Sequence, residues 1–513
     1  MTNKGYDVVL LSDANTQAWH VTPLGPHCLA TVLRNNGYTV KIVDYLQNWF
    51  DDYDSLNRLI DLIIDENTSL LGFSGTLFAE GFSEYKDIKT YQDYKRSTQF
   101  TTWALSDKST FDVPSFLSNL RIRFPKLKIA YGGHRDNHKF PELIDHVDFI
   151  VKGHAENMIL DLMNHIKTGS SIKYMLTGSR AKIIDYDYEA SGFNFKDTPI
   201  LFDKSDHIPD GSVLPIETSR GCMFKCDFCE YPMIGRKKGD TNYHKSVDTL
   251  AFEFKRNYEQ FKVTNYFFID NIFNESTDKI KDVLRARDIS EVDIKFYSYL
   301  RYEILNKYPE QIQLLKELGL ISTMIGIESL HGPSAKSVGK GTDPKKVKDI
   351  LYRLKDSWGE TVTVMGSFIV GLPHDTVENL IWTDWLKEKS CPLDSISMEA
   401  LVIDNTYSNV SPIAKDPTKY GYKIVQGNIH WKNEHWNSIK ARRWVNAFME
   451  EIWNSGKLGV GGFTTLGLMN MGIPYDQIKT LSLKNIDYKK CVTIRNNKWK
   501  DYKNNLFLYE SQK

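Results

Sequence analysis

Six cysteines occur in the 513-residue chain, at positions 28, 222, 226, 229, 391 and 491, and three of them fall within eight residues. In a reducing compartment such clustering points to metal ligation or catalysis rather than to disulfides. Cys222, Cys226 and Cys229 have the spacing C-x3-C-x2-C inside ETSRGCMFKCDFCEYP. Three thiolates can hold three irons of a cubane iron–sulfur cluster and leave the fourth iron open for a ligand. Zinc is the rival reading. A structural zinc site takes four protein ligands, usually as two spaced pairs; no second pair occurs here, so Glu230 or His244 would have to complete it. Cys28, Cys391 and Cys491 stand alone, so no second cluster is expected, and Cys28 and Cys391 read as small core residues.

The elements that must position the triad are βα units. The triad lies just after the first strand of a series expected at 213–218, 265–270, 293–299, 322–328, 362–371 and 395–401, with helices between them at 244–258, 278–287, 305–318, 344–355 and 376–387. Six units in this length predict a partial (β/α)6 barrel rather than a closed eight-unit one. An earlier series, with strands at 7–12, 39–44, 69–75, 126–132 and 147–153 and helices at 26–36, 55–64 and 114–123, predicts a flavodoxin-like, Rossmann-type sheet. The domain reading is therefore 1–170, a linker over 171–211, 212–402, and a mostly helical region over 403–513.

Ligands of such sheets bind beyond the carboxyl ends of the strands. Those ends carry Ser74-Gly75-Thr76, Gly132-Gly133 and Gly153, where small residues let backbone approach a ligand. The G-x-G-x-x-G dinucleotide fingerprint is absent after the first strand. A long polar and aromatic stretch over 78–113 reads as a flap above this edge.

Composition agrees with a folded small-molecule or peptide enzyme. Lysine and arginine number 65 and aspartate and glutamate 65, so no global field attracts nucleic acid or an anionic membrane. The opening MTNKGYDVVLLSDAN has no signal-peptide pattern and no run suits a membrane span, which leads to the expectation of a cytoplasmic protein. The segment from Lys484 to Lys503, with seven basic and two acidic residues, reads as a solvated terminal segment, with RNA or an acidic substrate as the other reading. Trp431, Trp436 and Trp444 are expected in the core.

The segment around the triad resembles the radical S-adenosylmethionine (SAM) superfamily, whose signature C-x3-C-x-aromatic-C is completed here by Phe228. That resemblance implies a [4Fe-4S] cluster, SAM bound at the open iron, reductive cleavage to a 5′-deoxyadenosyl radical, and an external electron donor such as a flavodoxin or ferredoxin. Further motifs follow in the family's order. Asp270-Asn271 stands where polar residues hold the methionine amino group, in place of the common G-G-E; Arg301 is placed to pair with the methionine carboxylate. Glu328 or Ser329, in GIES, would bind the ribose, and Gly366, Ile369 and Gly371, in GSFIVGLP, would pack on adenine.

The stretch PLGPHCLATVLRNNGYTVKIVDY, with LLGFSGT, YGGH and VDFIVKGHAEN after it, resembles the cobalamin-binding domain fused to one radical SAM subgroup. The resemblance implies that Ser74, Gly75, Thr76, Gly132, Gly133 and Gly153 approach cobalamin. Asp13-Ala14-Asn15 replaces the D-x-H-x-x-G of histidine-ligating relatives, so cobalt is expected without a histidine ligand, His20 included; Gly153-His154-Ala155-Glu156 departs from the usual G-E-G-E. The implied function is radical C-methylation from methylcobalamin. A non-methylating cobalamin-dependent oxidoreductase or cyclase, a methylthiotransferase, and a non-enzymatic cobalamin sensor with a vestigial barrel remain as alternatives.

Overall fold

The computed structural model describes residues 5–12, 22–50, 52–74, 92, 113–133, 145–172, 175–176, 182–185, 193–229, 243–341, 343–403, 411–426 and 430–513. Most of the 78–113 stretch, together with Gly75, Thr76, Asp13-Ala14-Asn15, His20, His134 and Glu230, lies outside the described residues.

Two parallel sheets organise the chain. The first has strands β1 (Val8–Leu11), β2 (Val40–Val43), β3 (Leu70–Ser74), β4 (Lys128–Gly133), β5 (Phe149–Lys152), β6 (Met175–Leu176) and β7 (Lys182–Asp185), in the order β2-β1-β3-β4-β5-β7-β6. Its first five strands keep the flavodoxin-like order 2-1-3-4-5. The last two come from the stretch read as linker: β7 joins β5 in parallel and β6 closes the edge antiparallel to β7. Apolar runs VVLL, VKIV and FIVK are buried along their whole length, as strands covered by helices on both faces must be.

The second sheet contains β8 (Leu214–Ile216), β9 (Asn265–Phe268), β10 (Lys295–Leu300), β11 (Leu320–Glu328), β12 (Thr363–Val370) and β13 (Ser395–Ala400), in chain order and parallel throughout. This is the expected open six-unit barrel. Its helices start at side-chain caps, Ser246 accepting from the Thr249 amide before Val247–Phe261 and Ser276 from the Lys279 amide before Thr277–Ser290. The helix expected over 305–318 is two, Tyr302–Lys307 and Glu310–Leu318, because Pro309 interrupts it. It ends at Gly319, with φ +105°, where a Cβ would lie 2.0 Å from the Ile294 carbonyl oxygen. The helix expected over 376–387 is instead a 3-10 segment, Glu378–Thr383, running into the short helix Asp384–Lys387.

Alternation along the barrel strands sorts the core. Phe368 and Val370 join the shell between sheet and helices, whereas Phe267, Tyr297 and Val213 form an interior cluster with Leu466, flanked by Tyr299, Met324 and Phe463. The helix Phe463–Asn470 thus fills the amino end of the barrel, and Asn470 Oδ1 accepts from the Val213 amide at 2.7 Å. Trp431 and Trp436 are buried and Trp444 packs against the same core, as expected.

The solvated-tail reading of 484–503 is overturned. Residues Tyr488–Gln512 form one helix that joins both sheets. Tyr488 and Cys491 belong to the barrel core, whereas Tyr502 and Leu506 belong to the core under the first sheet. Glu510 is buried between Lys41 Nζ at 2.7 Å and the Tyr6 hydroxyl, which donates at 3.0 Å.

Candidate functional site

The cysteine loop leaves β8 and is held from three sides. Asp270, just beyond β9, is fully buried and accepts from the Thr218 amide at 2.7 Å, the Ser219 amide at 3.1 Å and Lys279 Nζ at 2.6 Å, and from the Thr218 hydroxyl. Its carboxylate is spent on fixing the strand end that leads into the triad; Asn271 beside it stays partly exposed. From the far side, the Asp227 amide donates to the Val338 carbonyl at 3.1 Å, and Gly339, with φ +75°, brings its Cα side to Cys226 so closely that a Cβ would lie 3.2 Å from the Lys225 carbonyl oxygen.

Cys226 is buried, Cys222 and Cys229 partly exposed. The Phe224 amide donates to Cys222 Sγ at 3.5 Å, and the Cys229 amide to the Cys226 carbonyl at 3.0 Å. Arg301 Nη1 donates to Cys226 Sγ at 3.3 Å while its guanidinium carbon lies 4.0 Å over the Phe224 ring. Its backbone is clamped by Asn274, which accepts from the Arg301 amide at 2.8 Å and donates to its carbonyl at 3.1 Å. Burial opposes the charge on Arg301, but Glu303 and then Cys226 more than offset it, so the guanidinium is held charged. Among the described residues no three His, Cys, Asp or Glu side chains close on a single-ion position. A cubane instead takes each thiolate on its own iron, and a cation beside a sulfur suits its net negative charge.

Glu328 ends β11 in the left-handed region, φ +67°, a conformation that costs a non-glycine residue about 1–3 kcal/mol. Its carboxylate folds back over Gly326, where a Cβ would lie 2.6 Å from Oε1. Lys340 Nζ sits 3.5 Å from that carboxylate and donates to the Gly326 carbonyl at 2.7 Å. Burial raises the Glu328 pKa, opposed by Lys340. Ser329 is buried and its hydroxyl accepts from the His331 amide at 3.0 Å. Gly366 and Gly371 face packed side chains, a Cβ meeting Leu393 at 2.7 Å and Trp431 at 2.6 Å respectively, so their smallness serves packing. Ile369 lies between them in sequence, on the strand face opposite Gly366, and is partly exposed.

A second feature abuts the loop. On one face of the first sheet Leu10, Gly72 and Ala130 are in register, with Gly132 beside Val151 one rung on. Three small residues at neighbouring positions leave an apolar slot, a cavity of about 290 Å³ walled by these residues, by Gly153 and by the helices Leu24–Asn35 and Met158–Thr168. Ser74 and Gly133 end their strands at the same edge. The slot is also lined by Glu156 from the first sheet's side and by Glu217 and Arg220 from the cysteine loop's side. Arg220 pairs with the buried Glu156, Nη2 to Oε1 at 2.6 Å, and with the partly buried Glu217, Nε to Oε1 at 2.9 Å. Burial lowers the tendency of Arg220 to stay charged, yet Glu156 and Glu217 raise its pKa far above the usual value. Glu156 Oε2 and Arg220 Nη1 are buried without a hydrogen-bond partner. Cys28, read as core, is buried as expected but also walls the slot, 4.0 Å from Arg220 Nη2. Arg220, Lys340 and Glu303 were not singled out by sequence reasoning, and Glu156 only as the end of Gly153-His154-Ala155-Glu156; for Arg220 the one signal was its position inside SRGC.

Residues 216–383 match the Radical SAM superfamily. Among curated proteins, an uncharacterized methyltransferase of Pyrococcus horikoshii is 26% identical over 246 residues, 46% of this chain and 51% of its own length. A protein of Methanocaldococcus jannaschii assigned by name to the methylthiotransferases is 26% identical over 300 residues, 55% of this chain and 62% of its own length. The bacteriochlorophyllide d C-8(2)-methyltransferase of Chlorobaculum tepidum is 23% identical over 263 residues, 49% of this chain and 55% of its own. The chain thus spans about half to three fifths of these relatives. Among solved structures, the radical SAM methyltransferase TsrM from Kitasatospora setae, with cobalamin and a [4Fe-4S] cluster bound, superimposes with a TM-score of 0.56 at 14% identity, covering 82% of this chain and 78% of that one. The cobalamin-dependent radical SAM enzyme OxsB, with aqua-cobalamin and SAM bound, gives 0.53 at 15% identity, covering 82% and 56%. Residues 216–383 thus match the radical SAM domain, and the chain shares the fold of these two cobalamin-dependent enzymes.

Proposed function

We propose that the chain is a cobalamin-dependent radical SAM C-methyltransferase. In this reading Cys222, Cys226 and Cys229 hold a [4Fe-4S] cluster, SAM lies across the carboxyl ends of the barrel strands, and residues 1–170 hold cobalamin, whose nucleotide tail enters the slot. The observation that carries it is the position of the slot: an apolar cavity at the carboxyl edge of the first sheet that is also lined by Arg220 of the cysteine loop. Its volume, near the lower end of ligand pockets, about 300 Å³, suits one flat ring system with the rest of a large cofactor outside. The unpartnered atoms Glu156 Oε2 and Arg220 Nη1, on two of its lining residues, suit polar groups of such a cofactor.

When bound, the cluster and SAM supply a hydrogen-abstracting radical, and methylcobalamin supplies methyl through a weak metal–carbon bond. The chain's residues provide the setting. Arg301 keeps a positive charge at the Cys226 sulfur, and Asp270 fixes the loop's entry. Asn271, partly exposed beyond β9, would meet the methionine amino group, while Glu328, paired with Lys340, would meet the ribose. Tyr299 and Met324, on the interior face of the barrel, exclude water from the space where a substrate carbon would sit. The substrate is a small molecule or peptide, and an external electron donor is required. A methylthiotransferase is less well supported, since Cys28 is the only cysteine before residue 222.

Anaerobic reconstitution with cobalamin and SAM carrying a deuterated methyl group tests the assignment. The expected result is reductive cleavage to 5′-deoxyadenosine together with labelled methyl on cobalamin. Cleavage without label transfer would convert the reading to a non-methylating enzyme; absence of cleavage would support a sensor.

A further inference from the structure

A second cavity, of about 550 Å³, lies at the other end of the barrel. It is bounded by Val213, which precedes β8, by Phe261, at the end of the helix that precedes β9, and by Asn470 of the plugging helix, with the C-terminal helix as its outer wall. The cysteine loop follows β8 at the opposite end, so this cavity is separate from the site described above.

Its chemistry is unusual for an interior surface. Arg495 and Lys498, one turn apart on the C-terminal helix, both reach it. Arg495 is nine-tenths buried; its Nε and Nη2 donate to Asn496 Oδ1 at 3.2 and 3.1 Å, whereas Nη1 is buried with no hydrogen-bond partner. Lys498 Nζ donates to the Asn470 carbonyl, a neutral acceptor. Neither cation forms an ion pair among the described residues; Arg495 lacks one although buried, whereas Lys498 is exposed. Asp210 and Asp501 also line the cavity without offsetting either charge. Several buried cations elsewhere in this protein are matched, as Lys41 is by Glu510 and Arg220 by Glu156 and Glu217; an unmatched one such as Arg495 is costly and calls for an anion. Two more lining atoms, Gln260 Oε1 and His207 Nε2, are buried and unpartnered. Burial, with Lys41 adding to it, lowers the His207 pKa to about 4, so the imidazole is neutral and open to a hydrogen bond from a bound molecule. The Trp499 indole and Phe261 add flat apolar wall.

We propose that this cavity binds a small anionic ligand, an oxyanion group at Arg495 and Lys498 joined to a flat ring body lying along Trp499. The two cations supply charge-assisted bonds, and the aromatic wall takes the ring. Such a ligand would clamp the C-terminal helix to the barrel and to the first sheet, which that helix already joins.

Calorimetry on the reconstituted full chain tests this with three probes sharing one ring: phenyl phosphate, benzoate and phenol. Binding of phenyl phosphate or benzoate is expected, with quenching of tryptophan fluorescence, and with phenol at least tenfold weaker. The stronger of the two anions identifies the oxyanion as phosphate or carboxylate. Arg495→Gln and Lys498→Gln are each expected to weaken binding at least tenfold while leaving iron content unchanged. Without ligand, Arg495→Gln should hold or raise the thermal midpoint, because an unmatched charge is removed; a marked fall would make Arg495 a structural residue and overturn the proposal. So would absence of binding by both anions, equal binding of phenol, or affinities unchanged in both variants. Binding of a single-stranded oligonucleotide in preference to the small anions, lost in the same variants, would also overturn it in favour of a nucleic-acid surface.

Discussion

The carboxyl edges of the two sheets meet at Arg220 and are finished in opposite ways. The first sheet ends in absence: Gly72, Ala130 and Gly132 stand at neighbouring register positions and leave a slot walled by Leu10 and Val151. The barrel ends in crowded charge, with Asp270 under Lys279, Glu328 under Lys340, and Arg301 between Glu303 and Cys226. An apolar recess suits a preformed cofactor inserted whole, since burial of its ring drives binding and fixes no charge. Paired, buried charges suit a cluster whose own charge changes during turnover, because they are already oriented and need not reorganise.

That contrast can be broken from either side. The largest effect is expected at the charged edge: Cys226→Ala should abolish both cluster incorporation and SAM cleavage, read from iron content and the visible spectrum, while cobalamin retention persists. Next, Arg220→Met leaves the buried Glu156 and the partly buried Glu217 without their cation and should cost about 3–5 kcal/mol of stability in denaturant unfolding; a loss within experimental error would mean that the junction of the two edges is not held by this charge. On the apolar edge, Ala130→Phe fills the slot. Overpacking of about 1–3 kcal/mol should weaken cobalamin binding about ten- to a hundredfold with iron content unchanged; unchanged cobalamin affinity would remove the slot from the account.

The smallest effect concerns the helix Leu24–Asn35 that walls the slot. Asp206 accepts from Arg34 at 2.7 Å and lies 3.3 Å from His27 Nδ1. Burial raises its pKa, but His27 and then Arg34 more than offset this and hold the carboxyl well below the usual range. A depressed folded-state pKa contributes stability above the unfolded value, about 3.9, that is lost as pH falls through the folded one. Asp206→Asn should therefore cost about 1–2 kcal/mol at pH 7, and the gap between variant and parent should narrow as pH falls below about 4. A gap that widens on acidification would contradict the assignment.

How much of this could be read beforehand differs between the same two regions. All six barrel strands were legible because each is an apolar run between helical patterns, and the cysteine triad because its ligands are close in sequence. β6 and β7 were not, being two and four residues in polar surroundings. The C-terminal helix was misjudged because its buried side carries Arg495 and Glu510 along with Cys491, Tyr502 and Leu506, so its stripe does not register as apolar. Arg220 and Glu156 are 64 positions apart, and no local pattern joins them. Asp270, expected with Asn271 to hold the methionine amino group because of its place in the order of motifs, also accepts from Thr218, Ser219 and Lys279, contacts that no local pattern announces.

A crystal structure of the anaerobically reconstituted full chain with cobalamin, phased by anomalous scattering at the iron and cobalt edges, would test the shared site most directly. The account expects iron at Cys222, Cys226 and Cys229, the nucleotide tail between Leu10, Ala130 and Gly153, and the cobalt face turned towards the cysteine loop. Iron at the triad with the slot empty, or cobalamin bound elsewhere on the chain, would contradict it.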